Sequence, residues 1–461
     1  MKTVEQIAAE LAGYAPQSLR VDAVNAFLSQ LVAPVRQDEE VGIFDALGRI
    51  LAASVISPIS VPAHDNSAMD GYAFDGAQLS SASSPPVPLT LTVVGTALAG
   101  KAWSGRAQPG QCVKIMTGAI MPTGLNTVVP QEFVTIEPAH DGPGAAPTQT
   151  ITVAPGLLQA GDNRRCLGED LLQGQPALEQ GALLTSAALG LIASLGIEKI
   201  RVWRKLRVAY FSTGDEILSL GQAPREGAVY DSNRYTVLSL LRRLGCEVVD
   251  LGVVGDQPAL LEAAFVQAAS LADVVITSGG VSVGEADYTK AMMNKLGDVV
   301  FWKIAMRPGR PMAVGRILGT KLTASPYAKR AGVDQNDRPA AAASGAILFG
   351  LPGNPVAVMV TFLAFVRPAL LKMMGSTAPS APLLKARSAA AIRKKPGRTE
   401  YQRGIVSTAP DGSLQVNITG NQGSGVLSSM VQANGLIVLH HSQGDVARGD
   451  EVDVMMLDGL I

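Results

Sequence analysis

The sequence predicts a multidomain protein of α/β plus β class: a doubly wound α/β domain, an inserted β domain, a helical linking domain and a C-terminal β-barrel. Three observations carry this. Leu206 to Gly375 alternates short apolar, β-branched runs with segments of helical spacing, as a parallel sheet covered on both faces requires. Two other regions, 63–158 and 379–461, hold only short strand-like runs between Pro/Gly turns. A chain of 461 residues also exceeds what one hydrophobic core organises.

Taken in order, residues 1–20 read as a weakly held leader. Helical spacing follows at Val21, Val24, Phe27, Leu28 and Leu31, and a second short helix is expected at Phe44–Val55, ended by Pro58 and Pro62. Residues 19–62 and 159–203 together form the helical linking domain. Asn163-Arg164-Arg165 restarts it, and Leu183–Leu195 is an apolar helix closed by Gly196 in a left-handed cap. The inserted β domain at 63–158 has strands at Leu89–Val94, Gln111–Met116, Thr127–Pro130, Val134–Ile136 and Thr148–Val153. The α/β domain at 204–378 has strands at Arg207–Phe211, Glu247–Val253, Asp273–Thr277, Asp298–Ile304, Met312–Arg316 and Ile347–Gly350. Its helices are Ser232–Leu244, Pro258–Ala269, Tyr288–Leu296 and Pro355–Met374. Thr320–Ala346, rich in Ala, Pro and polar residues, interrupts it as an expected disordered surface loop. The final domain, 379–461, has strands at Ala386–Arg393, Gln402–Val406, Gln415–Ile418, Gly435–Leu439 and Glu451–Met456.

Composition excludes several function classes. Hydrophobic content of 47%, charged content of 17% and a net charge of −1 describe a soluble globular chain with no general attraction to nucleic acid or anionic membrane. Cys112, Cys166 and Cys246 are scattered and the four histidines form no ligand set, so a structural zinc or disulfide framework is not expected and a reducing cytoplasm fits. MKTVEQIAAE lacks the basic and apolar run of a signal peptide. The longest apolar stretch, Ala182–Ile197, is broken by Thr185, Ser186 and Ser194 and falls short of a membrane span.

The chemistry gathers where ligands of doubly wound folds sit, beyond the carboxyl ends of the strands. The run ADVVITSGGVSVGEADY (Ala272–Tyr288) passes from a strand through Ser278, Gly279, Gly280, Ser282 and Gly284 into a helix, which makes a cradle of N–H groups for phosphate. It lacks the Lys-Ser/Thr of a Walker loop, and the acids Glu285 and Asp287 at its mouth hint at a bridging Mg²⁺. Other strand ends add Thr213-Gly214-Asp215-Glu216, then Gly255-Asp256, then Lys303, Arg307 and Arg310, and Pro352-Gly353-Asn354-Pro355. Acids and bases on one rim suggest a metal-assisted reaction on a phosphorylated or oxyanionic ligand. Taken singly, the Thr-Gly-Asp run or Asp256 reads as a helix cap, and a lone Arg or Lys as a solvated side chain. Their convergence at five strand ends is the stronger statement.

Together SGGVSVGEADY, STGDE, GLPGNPVA, DNSAMDGYA and KIMTGA resemble the molybdopterin molybdenumtransferase family, which is similar to the gephyrin E-domain. The resemblance extends over PGRTEYQRG and NQGSGVLSSM and so covers nearly the whole chain. It implies a molybdopterin-binding α/β domain within an elongated four-domain homodimer, with the site where the α/β domain of one subunit meets the inserted β domain of the other. It implies that adenylylated molybdopterin plus molybdate gives molybdenum cofactor and AMP, with Mg²⁺ required, and a transient contact with the molybdopterin adenylyltransferase. Carried over residue by residue, the functional positions are Asp70, Thr117, Glu216, Asp256, Asp287, Pro352 and Pro355. Asp256 and Asp287 suit the metal; Lys303, Arg307 and Arg310 suit molybdate or the terminal phosphate. Without the resemblance Asp70 is a turn acid. The chain departs from the family in the 320–346 insertion and in Ser424-Gly425-Val426, where a bulkier residue is expected. Two other readings are an adenylyltransferase, which resembles the α/β domain alone, and a scaffold like the gephyrin E-domain, which has no need of Glu216, Asp256 and Asp287.

Overall fold

The apolar runs between Arg207 and Leu351 pair edge to edge into one six-stranded sheet, the framework of the computed structural model, which describes residues 2–11, 14–79, 87–137, 149–280, 287–318 and 345–457. Its strands are β1 (Arg207–Thr213), β2 (Glu247–Val254), β3 (Val274–Ser278), β4 (Gly297–Lys303), β5 (Pro311–Ile317) and β6 (Ala346–Leu351), in the order β2-β1-β3-β6-β5-β4. The first four in that order are parallel, whereas β5 runs against both β6 and β4. Two reversals leave β4 pointing the same way as the parallel set. Every residue of β3 and β6 is buried, as expected of strands covered on both faces.

Helices α1 (Ser232–Arg243), α2 (Pro258–Leu271), α3 (Asp287–Leu296) and α4 (Pro355–Met373) supply the cover. Phe349, Phe362 and Phe365 lead the core on one side; Phe211 and Phe265, edge to face at 5.0 Å, lead the other. α4 widens to π-type turns over Phe362–Val366, just before Pro368. That proline has no N–H to give the preceding turn and its ring crowds the carbonyl of Ala364, so the ladder slips. α4 is long and apolar enough to cross a membrane, yet 78% of its most apolar window is buried inside the protein. It is a core helix.

Two compact units make up the chain. The first, residues 1–53, 180–185 and 199–461, contains this sheet and a closed five-stranded barrel, Thr399–Thr408, Leu414–Ile418, Leu384–Ser388, Glu451–Met456 and Gly435–Leu439, which returns to Thr399–Thr408. The second, residues 54–179 and 186–198, contains a six-stranded sheet in the order Thr127–Pro130, Gly71–Phe74, Gln111–Ile115, Leu89–Ala97, Thr150–Val153, Val134–Glu137. The expected β strands are found there, with Gly71–Phe74 added.

Three expectations need correction. Residues 2–11 and 14–20 are not a weakly held leader: a helix at Val4–Glu10 starts with a Thr3/Gln6 capping box, and Val4, Ile7 and Leu19 are buried. Phe44–Val55 is not a helix. Only a single tight turn forms at Ile43–Asp45, Phe44 is 97% exposed, and Ile50 and Leu51 bridge to Leu183 and Val202. The helical spacing there comes from a chain that turns between short bridges. Asn163-Arg164-Arg165 starts no helix either: Arg164–Arg165 pairs with Asn66–Ser67, and Asn163 is left-handed with φ 59°. By contrast Val21–Leu31 and Ser186–Ser194 are helices, and Gly196 (φ 72°) follows the latter as expected. Of the 320–346 insertion, residues 320–344 lie outside the described residues, and Ala346 already begins β6. Cys112 and Cys246 are buried, which pushes both thiols up to about 12, and Cys166 is exposed.

Candidate functional site

Strand register fixes which loops share an edge. Val253 lies beside Ser212, Ser212 beside Ser278, and Ser278 beside Leu351, while Lys303 lies beside Pro311 at the mouth of the β4–β5 hairpin. The segments that follow β1, β2, β3, β4 and β6 therefore leave from one rim.

On the acidic side the Thr213 hydroxyl donates to Asp256 at 2.6 Å, and the Asp256 N–H donates to the Asp215 carboxylate at 3.1 Å. Neither acid caps a helix. α2 starts after Gln257, which makes no side-chain cap, and the Thr213-Gly214-Asp215 run turns into Ile217–Leu218, a strand paired with Val229–Tyr230. Gly214 has φ 144°, and a Cβ there would stand 2.5 Å from the Glu216 carboxylate. Asp215, Glu216 and Asp256 are all exposed at the rim.

The glycine loop is locked at its start. Ser278 is buried, with its hydroxyl 2.6 Å from that of Tyr210, and Gly279 donates to the Leu351 carbonyl at 3.2 Å. Gly279 has φ 93°, and a Cβ on it would fall 2.3 Å from the Thr213 carbonyl oxygen. Only glycine fits between these strands. Gly280, at φ 65°, continues the turn. Ser282, Gly284 and Glu285 lie outside the described residues, as does the side chain of Asp287, whose backbone begins α3.

On the basic side Arg307 and Arg310 are exposed and Lys303 is half-buried. Ile304 donates to the Arg310 carbonyl at 2.7 Å, and Met306–Arg307 pairs with Thr399–Glu400 of the barrel. The adjacent Arg403 is 1% exposed and donates to Ser429 and to the carbonyls of Asn421 and Gly423. Burial, and next the charge of Arg307, push its pKa down. Ser424 accepts from Val356 at 3.1 Å, which brings the barrel's Asn421–Ser424 turn to the start of α4. Pro352 is buried, Gly353 and Asn354 are exposed, and Pro355 opens α4 with no side-chain cap from Asn354.

Two neighbours were not singled out from sequence. Asn233 donates to the Gly353 carbonyl at 2.6 Å, and Asp231, 3% exposed, caps α1 by accepting from Arg234 at 3.0 Å. Burial pushes the Asp231 carboxyl up. The run Asp-Ser-Asn before a helix carried only a capping signal, which is a signal of structure.

Asp70 and Thr117 belong to the second unit. The Thr117 N–H and hydroxyl both donate to one Asp70 oxygen, at 2.6 and 2.7 Å, and hold the exposed carboxyl below its usual range, the N–H first. The pair is a preformed unit that sequence alone gave no reason to expect. Among the described residues no group of three or more His, Cys, Asp or Glu could hold a metal ion. Asp215 and Asp256 offer only oxygen donors, a set suited to a hard cation that keeps waters and phosphate oxygens as its other ligands.

Similarity to known proteins follows the same layout. The MoeA N-terminal region (domain I and II) matches residues 19–196, a probable molybdopterin binding domain matches 209–372, and the MoeA C-terminal region (domain IV) matches 385–457. A molybdopterin molybdenumtransferase from Haemophilus influenzae is 40% identical over 95% of this chain and 98% of its own. One from Nostoc is 34% identical over 92% of this chain and 89% of its own. A crystal structure of a molybdopterin biosynthesis MoeA protein from Pyrococcus horikoshii superposes with TM-score 0.67 at 27% identity, over 95% of this chain and 99% of that one.

Proposed function

The chain belongs to the molybdopterin molybdenumtransferase family and inserts molybdenum into molybdopterin, and we propose that it does so by converting adenylylated molybdopterin and molybdate to molybdenum cofactor and AMP with Mg²⁺ bound at the acidic half of the rim. One observation carries the proposal. The sheet register delivers carboxylates and cations to a single edge, with a tight glycine turn between them. Asp256, oriented by Thr213, and Asp287 are the residues that would hold the metal. When bound, the ion would neutralise the pyrophosphate of the adenylylated pterin. Gly279 and Gly280 bring backbone close to that phosphate, with Asp215, Glu216, Gly353 and Asn354 lining the approach. Lys303, Arg307 and Arg310 hold molybdate or the terminal phosphate, because both are tetrahedral oxyanions. Pro352 and Pro355 stiffen the last loop by fixing φ.

The same proposal takes the chain as a cytoplasmic homodimer of four-domain subunits, in which Asp70 and Thr117 of one subunit serve the rim of the other and the adenylyltransferase delivers the pterin by transient contact. Its support is the family resemblance and the exposed, preformed Asp70–Thr117 pair. The test supplies adenylylated molybdopterin, molybdate and Mg²⁺ and measures AMP. Molybdate-dependent AMP release is expected; pyrophosphate release from molybdopterin and Mg-ATP, without it, would make the chain an adenylyltransferase instead. Mixing Asp70→Ala and Asp256→Ala subunits should restore activity if the site is shared, since one rim in the mixed dimer is intact.

A further inference from the structure

We infer that residues 14–20 are a positioning element for the basic loop Lys303–Arg310, an inference that rests on reading this loop as the oxyanion side of the site. The loop is tied to this segment by backbone. The Lys303 N–H donates to the Pro16 carbonyl at 2.8 Å, the Leu19 N–H donates to the Lys303 carbonyl at 3.1 Å, and the Ala305 N–H donates to the Leu19 carbonyl at 2.8 Å. Leu19 and Ile304 are bridged in parallel, so the N-terminal segment continues the sheet by one short rung beyond the end of β4. Side chains anchor the rung. The Trp302 indole donates to the Tyr14 hydroxyl at 2.9 Å and stands edge-on to Phe27 at 4.9 Å, and Leu19 is 1% exposed. From the other side, Thr399 donates to the Ala305 carbonyl at 2.9 Å. The start of the basic loop is thus held between the chain's N-terminal segment and the barrel.

The chemistry explains why such a brace matters. Among the described residues, no salt bridge holds Lys303, Arg307 or Arg310. Their heads are on flexible stems, so the backbone sets where each stem leaves the loop. A tetrahedral oxyanion needs them at fixed separations, and misplacement by an ångström is enough to cost two orders of magnitude.

The test compares Leu19→Pro, which removes the N–H given to Lys303, with Leu19→Ala, which keeps that N–H and loses packing. Both are assayed for AMP release with molybdate varied at saturating adenylylated molybdopterin, and with the pterin varied at saturating molybdate. Leu19→Pro is expected to raise the molybdate KM about tenfold and to leave the pterin KM within twofold, the scale of supporting residues that orient ligands. Leu19→Ala is expected to melt earlier with an unchanged molybdate KM. Equal shifts in both variants, or none in Leu19→Pro, would overturn the inference. Arg307→Ala separates the two ideas: if it leaves the molybdate KM alone, the reading of the loop fails; if it raises KM while Leu19→Pro does not, only the brace fails. Should Leu19→Pro not fold, hydrogen exchange on the unaltered protein decides. Molybdate should slow the amides of Leu19, Lys303 and Ala305 together, and protection confined to residues 303–307 would refute the brace.

Discussion

Thr213→Val isolates one hydrogen bond at the proposed metal site. Valine keeps the branched shape in a position only 3% exposed, and removes the hydroxyl that donates to Asp256 at 2.6 Å. A hydrogen bond to a charged group contributes about 1.5–3 kcal/mol. At about 1.4 kcal/mol per factor of ten, that range corresponds to about 10- to 150-fold in an equilibrium constant. Asp256 is exposed, and water can replace part of the lost bond, so the lower end applies. We expect the Mg²⁺ concentration for half-maximal AMP release to rise about tenfold, with Thr213→Ser close to the parent protein. Melting should move by no more than a few degrees, because the core volume is kept. If Thr213→Val shows the parent's Mg²⁺ dependence while Asp256→Ala is inactive, the carboxylate does not need Thr213 to aim it, and the reasoning fails.

Other outcomes follow from buried acids outside the proposed metal pair. Burial raises the folded-state pKa of Asp231 above its unfolded value, so the acid's favourable contribution is present below the unfolded pKa and is lost as pH rises through the folded one. Asp231→Asn should keep the cap and gain on the parent protein between pH 4 and pH 7 in thermal melts, whereas Asp231→Ala should lose about 1 kcal/mol of cap at either pH; an Asn variant whose difference from the parent ignores pH would contradict this. Asp273, 2% exposed, accepts both arms of Arg204 at 2.7 and 2.8 Å. Asp273→Ala leaves that guanidinium unpaired and should cost about 3–5 kcal/mol, read as a melting transition lowered by about 10 °C. A shift of a degree or two would show that the cation re-solvates freely.

Much of this was legible in the sequence because burial on both faces leaves a strong trace. β3 and β6 are runs with no polar alternation, and each is followed directly by glycine or proline, so both the strand and its loop could be placed. The strand-end rule then assembled Asp215, Asp256, Lys303 and Arg307 without knowledge of pairing. What could not be read was tertiary. Val4, Ile7, Tyr14 and Leu19 are too sparse to set up a period, yet they seat the N-terminal segment. Phe44, Leu47, Ile50 and Leu51 mimic a helical face, but two of them point to solvent and two bridge to Leu183 and Val202, distant in sequence. Asp70 finds its partner 47 residues away, beyond the reach of any local pattern.

The cysteines give the protein a practical property. Thiols react as thiolates, and Cys112 and Cys246 are both enclosed and held far from ionisation at neutral pH. Cys166, exposed beside the Arg165–Glu169 ion pair in the second unit, is left as the one thiol open to reagents. A maleimide dye or a surface linker would therefore attach at a single native address, and fluorescence or tethering studies could begin without removing a residue.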